Sequence, residues 1–236
     1  MLLRMAVQAG VRAAVLSTLI ASSSAAAGLI PHILYGKRIA GEVVDVETGK
    51  PIAGAHVAFL WRSGITPSGF TGHNSRDICY HAAAATTDAQ GRFAIAAWKE
   101  WSTYDVRPVS PTVLVYASGY RPFQRFTLRD SERSPVEHLD ERYVLPRFKG
   151  SVAERLDSLF FGLANQSCEY GGESQKSLYP MLKAIYREAR SIAKTPTEVQ
   201  SVSSFATQAA YAALALDPLG PAHDAEVRAF ISENLK

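Results

Sequence analysis

The sequence lacks any run of like charge, and its ionic groups nearly cancel. It contains 25 lysines and arginines against 22 aspartates and glutamates. Two of the basic residues, Arg4 and Arg12, lie in an N-terminal leader, which leaves 23 against 22 in the rest of the chain, a net charge of +1. Binding to a nucleic acid backbone needs a basic patch, so nucleic acid is not an expected partner.

Cysteine is also scarce, since the chain has only Cys79 and Cys168. In an oxidising compartment two thiols of one chain more often pair than stay free, so we predict a disulfide between them. Such a bridge closes a loop of about 90 residues and stabilises the fold by about 4 to 5 kcal/mol in the chain-entropy account. The alternative is a pair of buried, reduced thiols.

The first residues have the composition of an export signal. Arg4 and Arg12 precede an uncharged apolar run at residues 13–20, and Ala25 and Ala27 form the small-residue pair of a cleavage site. No cysteine follows the apolar run, which argues against a lipid anchor. The pattern predicts cleavage after Ala27 and a periplasmic or secreted protein.

The leader also permits a second interpretation. Residues 13–36 contain no lysine, arginine, aspartate or glutamate, and a segment of that length can span a bilayer. The alternative location is therefore the membrane, with the chain anchored by an uncleaved N-terminal helix. With cleavage, residues 1–27 are a signal peptide and residues 28–36 are a linker to the folded part.

Residues 37–148 consist of extended apolar segments separated by turns. Period-two alternation and turn residues predict seven strands, at residues 39–46, 55–61, 79–86, 92–97, 112–117, 122–128 and 142–148. Gly49 and Gly91 occupy turn positions that favour a positive φ. The turn at residues 88–91 predicts a hairpin between its flanking strands. This number and spacing of strands is typical of an antiparallel β-sandwich.

Three segments in this region resemble a known family. They read G-x-V-x-D-x-x-T-G-x-P-I-x-G-A-x-V at residues 41–57, T-D-x-x-G-x-F at residues 87–93 and A-S-G-Y at residues 117–120. Together they are similar to the carboxypeptidase regulatory-like domain, a transthyretin-like (prealbumin-like) β-sandwich. The resemblance covers about residues 37–130. It implies an accessory module found beside enzymes, receptors and surface proteins, and it does not imply peptidase activity.

The pattern changes to a helical period after residue 148. Apolar residues recur at helical spacing over residues 152–163 and 178–192, and Thr195 with Glu198 has the form of a capping box that opens a third helix. A break at residues 217–221 precedes a short last helix. Three to four helices in residues 149–236 make a small core alone, so we expect them to pack on one face of the sandwich. The predicted fold class is α+β.

No catalytic template is complete in this sequence. His138 and Glu141 have the spacing of a zinc-ligand pair, but they fall in a polar linker, and chance is the better explanation. Residues 49–61 are similar to a segment of intradiol dioxygenases, whose iron site needs an H-x-H pair where this chain has residues 112–116, Thr-Val-Leu-Val-Tyr. Residues 191–194 fit the S-x-x-K pattern without its partner segments.

Two residue groups remain as candidate sites. Trp98, Trp101 and Tyr104 are predicted to lie in a loop at one end of the sandwich, where rings on a rigid scaffold can contact a sugar or a peptide. Asp77 and His81 are weak metal candidates, because with Cys79 they alternate along a predicted strand and would point the same way. The alternative for that set is an oxidised Cys79 and exposed loop histidines.

The sequence therefore predicts an exported, non-catalytic interaction module. Its loops would bind an envelope protein or a glycan, with no cofactor, and a membrane only if the leader is retained. The alternative is a periplasmic enzyme, hydrolytic or metal-dependent, with a pocket formed by the loops at residues 62–81 and 98–108. The two differ in what the structure should show, because an enzyme needs a concave pocket with convergent titratable groups.

Overall fold

The structure is a computed structural model that describes residues 32–65, 76–102, 111–125, 140–164, 168, 172–216 and 223–235. Within these ranges the chain is α+β, with nine strands in three sheets and four α-helices. The predicted signal peptide at residues 1–27 lies outside the described residues. Of the helices in the described part of the chain, none combines the length and apolar character that a membrane crossing requires.

The nine strands form a four-stranded sheet, a three-stranded sheet and a two-stranded ribbon. They are β1 (His32–Gly36), β2 (Ile39–Asp45), β3 (His56–Ile65), β4 (Arg76–Thr86), β5 (Arg92–Ile95), β6 (Trp98–Ser102), β7 (Thr112–Tyr116), β8 (Phe123–Arg125) and β9 (Asp140–Leu145). The strand orders are β4-β3-β7-β8, β5-β2-β9 and β1-β6. All pairings are antiparallel except that of β2 with β9, which is parallel.

Strand β3 separates two hydrophobic cores because its side chains alternate between the faces of the sheet. Val57, Phe59 and Trp61 pack into one core with the inner side chains of β2, β5 and β9. Ala58 and Leu60 point the other way, into a core shared with the helices. The four-stranded sheet is thus buried on both faces, and the prediction that the helices cover one face is confirmed.

The first predicted turn forms as its residues indicate. The Asp45 carboxylate accepts hydrogen bonds from the backbone N–H groups of Glu47 and Thr48 at 2.8 and 2.9 Å, and Gly49 takes a φ of 66°. The Tyr120 hydroxyl donates to the other carboxylate oxygen at 2.9 Å. These bonds hold the pKa of Asp45 below its usual value, although desolvation acts in the opposite direction.

Five details of the predicted β region are wrong. The described chain has nine strands and not seven, and one pairing is parallel. Residues 32–36, expected in a linker, form β1. Residues 98–102, expected in a loop, form β6. The turn at residues 88–91 joins two different sheets, so β4 and β5 are not a hairpin.

The parallel pairing of β2 with β9 depends on a close backbone approach. A Cβ atom at Gly41 would overlap the backbone carbonyl oxygen of Glu141 on the neighbouring strand. Only glycine fits there without displacing β9. The sequence therefore carries a local signal for this contact, but the signal does not say which strand approaches.

The four helices are α1 (Val152–Leu159), α2 (Tyr179–Ile192), α3 (Pro196–Leu214) and α4 (Asp224–Asn234), with a π-helical turn at Phe160–Ala164 and a 3₁₀ helix at Gly172–Leu178. The predicted capping box of α3 is confirmed, because Thr195 Oγ1 accepts from Glu198 N at 3.3 Å and Glu198 Oε2 accepts from Thr195 N at 2.9 Å. Ser151 and Glu154 form an equivalent box at the start of α1. Each such cap contributes about 1 kcal/mol.

Two devices fasten the helices to the sheet. The predicted disulfide is present, and it joins Cys79 of β4 to Cys168 between α1 and α2. A buried ionic cluster joins Arg155 of α1, Glu188 of α2 and Tyr116 of β7, with Arg155 Nε 2.7 Å from Glu188 Oε1 and the Tyr116 hydroxyl donating to Glu188 Oε2 at 2.6 Å. The Arg155 guanidinium also donates to the backbone carbonyl of Tyr120.

Candidate functional site

The ribbon of β1 and β6 exposes an unusual amount of apolar surface. In its register Ile33 pairs with Trp101 and Tyr35 pairs with Lys99, so these four side chains share one face. Trp101 is 70% exposed, Tyr35 61% and Ile33 43%. We call this surface, Ile33, Tyr35, Lys99 and Trp101, the ribbon face. Scattered exposed apolar residues are ordinary, whereas three large ones on one face of a ribbon make a candidate interaction surface.

The opposite face of the ribbon is packed into the protein. Leu34 is buried in the core between the sheets, and Trp98 lies half-buried against it. A Cβ atom at Gly36 would overlap the Trp98 indole, so the glycine makes room for that ring. Because side chains alternate along a strand, this inward packing of Leu34 and Trp98 fixes Tyr35 and Trp101 outward.

A histidine ties the ribbon to the four-stranded sheet. The His81 ring of β4 stacks on the Trp98 ring, with centroids 3.8 Å apart and planes inclined by 16°. His81 Nδ1 lies 2.8 Å from Glu100 Oε1, which identifies the ring N–H as the donor to the carboxylate. The Trp61 ring contacts both His81 and Trp98 edge-on. The ribbon face therefore lies above a packed group of side chains, which we call the support: Trp61, His81, Trp98 and Glu100.

A β-bulge places His81 on this support. The register of β3 with β4 shifts between Trp61, which pairs with His81, and Arg62, which pairs with Cys79. Tyr80 is the extra residue. It shares the core between the sheets with Trp61, whereas Cys79 lies in the core beneath the helices. The prediction that Cys79 and His81 point the same way is wrong, because the bulge interrupts the alternation.

The bulge and the disulfide together remove Cys79 from the candidate metal set. Cys79 is oxidised and cannot act as a thiolate ligand. His81 is hydrogen bonded to Glu100, and the side chain of Asp77 lies outside the described residues. Glu141 accepts two hydrogen bonds from Arg125, at 2.6 and 2.9 Å. Within the described part of the chain no group of three or more potential ligands is arranged to hold a metal ion.

The predicted binding residues thus divide into three cases. Trp101 is exposed on the ribbon face, as a binding residue should be. Trp98 belongs to the support, where its ring contacts His81, Trp61 and Tyr80. Tyr104 lies outside the described residues. Sequence reasoning missed Ile33 and Tyr35, because residues 33–35 are all apolar and continue the uncharged run that follows the leader.

Burial lowers the pKa of His81, and the charge and hydrogen bond of Glu100 oppose this without reversing it. Burial also lowers the pKa of His56. Both histidines therefore take up protons more readily in the unfolded chain. Their contribution to stability is complete above the ordinary histidine pKa of about 6.5 and is lost as the pH falls through it.

We expect urea unfolding to show a lower free energy of unfolding at pH about 5.5 than at pH about 7.5, with a slope of at most about 1.4 kcal/mol per pH unit for each histidine. His81→Gln should reduce this slope, whatever it does to stability at neutral pH. His56→Gln tests the contribution of the second histidine in the same way. An unchanged slope in the His81 variant would contradict the assignment of this pH dependence to His81.

No known protein-family profile matches the chain, and no curated protein sequence resembles it significantly. Among solved structures, the chain is similar over part of its length to several catechol dioxygenases, including the following two. One is a variant catechol 1,2-dioxygenase of Acinetobacter radioresistens, at a TM-score of 0.30 and 19% identity over 48% of this chain and 52% of that one. The other is the 3-chlorocatechol 1,2-dioxygenase of Rhodococcus opacus 1CP.

For the Rhodococcus enzyme the TM-score is 0.28 and the identity 15%, over 47% of this chain and 60% of that one. The chain therefore spans between half and three fifths of the length of these two enzymes. Likenesses at these scores establish neither the fold nor an activity for this chain. The ribbon face has to be interpreted from its own geometry.

Proposed function

We propose that this protein is an exported, non-catalytic interaction module that binds an envelope protein or a glycan through the ribbon face. The observation that carries the proposal is the placement of Tyr35 and Trp101, both mostly exposed, on one face of a two-stranded ribbon. Tyrosine and tryptophan supply large contact areas at a low cost in conformational entropy, and they dominate the energetics of many interfaces.

The geometry of the ribbon face suits a flat or extended partner. Tyr35 lies opposite Lys99, and Trp101 is two residues further along β6, so the two aromatic side chains are diagonal neighbours. Diagonal residues of an antiparallel pair lie about 7 to 8 Å apart, within reach of one another's rings. Ile33 extends the apolar area, and Lys99 provides one cation for an acidic group.

The support beneath the ribbon favours binding. A continuous series of contacts connects the disulfide to the ribbon. It leads from Cys79 along β4 to His81, and from the His81 ring to Trp98 and Glu100 on β6. Trp101 follows Glu100 directly. A surface held in its bound conformation loses less entropy on association, which raises affinity without any additional contact.

We further infer that the two larger sheets belong to the transthyretin-like sandwich class of carboxypeptidase regulatory-like domains. The shared core of the two sheets, the turn at Asp45 and the positive φ of Gly91 and Gly119 support this assignment. Location in the periplasm or outside the cell is supported by the disulfide, which is typical of oxidising compartments.

Trp101→Ala and Tyr35→Ala should each weaken partner binding by about thirtyfold, the cost of truncating an interface hot spot. The melting temperature should change little, because substitutions at exposed sites alter stability by about 0.5 kcal/mol or less. The assay is capture by the immobilised protein in two separate arms, one with an envelope protein extract and one with purified cell-wall glycan.

Phe161→Ala is the matched control, since Phe161 is 66% exposed on the π-helical turn and far from the ribbon in sequence. It should leave capture unchanged. Retention of a captured protein or glycan by the Trp101 and Tyr35 variants would contradict the proposal. So would capture lost equally in the Phe161 variant, or no capture in either arm.

A further inference from the structure

An open groove of about 610 Å³ lies along the exposed side of β2 and β5, beside the end of β4. Its floor is made by Ala40 of β2 and Ala94 of β5, which pair directly in the register. Small side chains at these two positions leave the sheet surface uncovered. A volume of this size falls in the range of pockets that hold small organic molecules.

Charged residues stand at both ends of this floor. Arg38 precedes Ala40 by two residues and lines one end. At the other end Glu42 pairs in register with Arg92 on one side and with Arg142 on the other. The backbone positions of Arg38 and Glu42 are four residues apart, which is about 13 Å along a strand.

Two of the positive charges that line the groove are not paired with a carboxylate of the described part of the chain. Two of the carboxylates that line it are paired with arginines, Glu42 with Arg142 Nε at 3.0 Å and Glu141 with Arg125, and Asp88 accepts from the backbone N–H groups of its own turn. Within the described residues no ion pair involves the guanidinium of Arg38 or of Arg92. Arg38 and Arg92 both line the groove, and their backbone positions lie at opposite ends of its floor.

We propose that this groove binds a small organic dianion, with one carboxylate or phosphate at Arg38, the other at Arg92, and an apolar middle over Ala40 and Ala94. Arginine suits this role because its planar fork donates two parallel hydrogen bonds to a carboxylate. The site is separate from the ribbon face, and the proposal does not rest on the proposed function.

The test uses glutarate as the probe and follows the methyl groups of Ala40 and Ala94 by NMR during titration. Both methyl signals should shift in the wild type, and Arg38→Gln and Arg92→Gln should each raise the apparent Kd by about tenfold, as expected for one lost charge-assisted contact. Both arginines are exposed, so the variants should fold normally. Arg121→Gln, an exposed arginine outside the groove, should bind glutarate like the wild type.

Two further probes test the two-charge geometry. Butyrate keeps the apolar chain with a single carboxylate, and inorganic phosphate carries charge without a spacer. Both should bind about tenfold more weakly than glutarate, because each reaches only one guanidinium. Equal binding of all three probes would overturn the proposal, as would shifts in neither methyl group or an equal loss of affinity in the Arg121 variant.

Discussion

Removal of the disulfide is expected to lower the free energy of unfolding by about 4 to 5 kcal/mol. The bridge joins residues separated by 89 positions, so it removes a large loop entropy from the unfolded chain. Both cysteines are buried in the core beneath the helices. Alanine is therefore the appropriate replacement, because serine would bury a hydroxyl group.

The measurement is urea unfolding of Cys79→Ala with Cys168→Ala, compared with the wild type under oxidising conditions. Wild type unfolded in the presence of a reductant is the control, and it should lose a similar amount of stability. Non-reducing mass spectrometry of exported protein should show one linked peptide. A loss below about 1 kcal/mol in the double variant would show that the bridge does not constrain the unfolded state as the entropy account requires.

Glu188→Ala is expected to cost about 3 to 5 kcal/mol, because it leaves the Arg155 guanidinium buried without its carboxylate. The Arg155 side chain is 5% exposed and that of Glu188 10%, so water can compensate little of the lost pairing. The Tyr116 hydroxyl would lose the closer of its two acceptors and keep the Ala184 backbone carbonyl at 3.2 Å. All three residues join the helices to the sheet, so the variant should expose the apolar surface between them.

A double substitution separates the charge effect from the lost packing. Arg155→Met combined with Glu188→Leu replaces the pair by apolar side chains of similar size, and such replacements of buried ion pairs are often neutral. The double variant should therefore recover most of the stability that Glu188→Ala loses in urea unfolding. A double variant as unstable as the single one would contradict the assignment of the loss to an unpaired charge.

The same cluster predicts a dependence on acid. Burial acts to raise the pKa of Glu188, but the hydrogen bonds of Arg155 and Tyr116 and the charge of Arg155 outweigh it, so the pKa is below its ordinary value. The stability it contributes is present above the usual glutamate pKa and is lost as the pH falls through the lower, folded-state pKa. This window lies below that of the histidines, so the two effects can be measured separately.

The sequence predicted the features that depend on neighbouring residues. The alternation at Val57, Phe59 and Trp61 correctly assigned a buried face, and Thr195 with Glu198 correctly opened a helix. The glycine at position 49 correctly marked a positive φ. Each of these signals acts within a few residues, where backbone sterics and side-chain spacing decide the outcome.

The features that the sequence did not predict depend on distant partners. Strand β1 is defined by its pairing with β6, about 66 residues away, so residues 33–35 alone did not distinguish a strand from the end of a leader. The bulge at Tyr80 and the parallel partner of Gly41 likewise require knowledge of the facing strand. The ribbon face was missed because neither β1 nor β6 was predicted, and this surface exists only where the two strands pair.

The parallel contact between β2 and β9 has a consequence for how the chain matures. Ala40 lies beside Asp140 and Asp45 beside Leu145, a separation of 100 residues throughout. When the polypeptide emerges N-terminus first from a ribosome or a translocation pore, one edge of β2 stays unpaired until residue 145 has emerged. Throughout that interval the unpaired backbone of β2 can template association with another nascent copy, so holdase chaperones should engage it most strongly before β9 arrives.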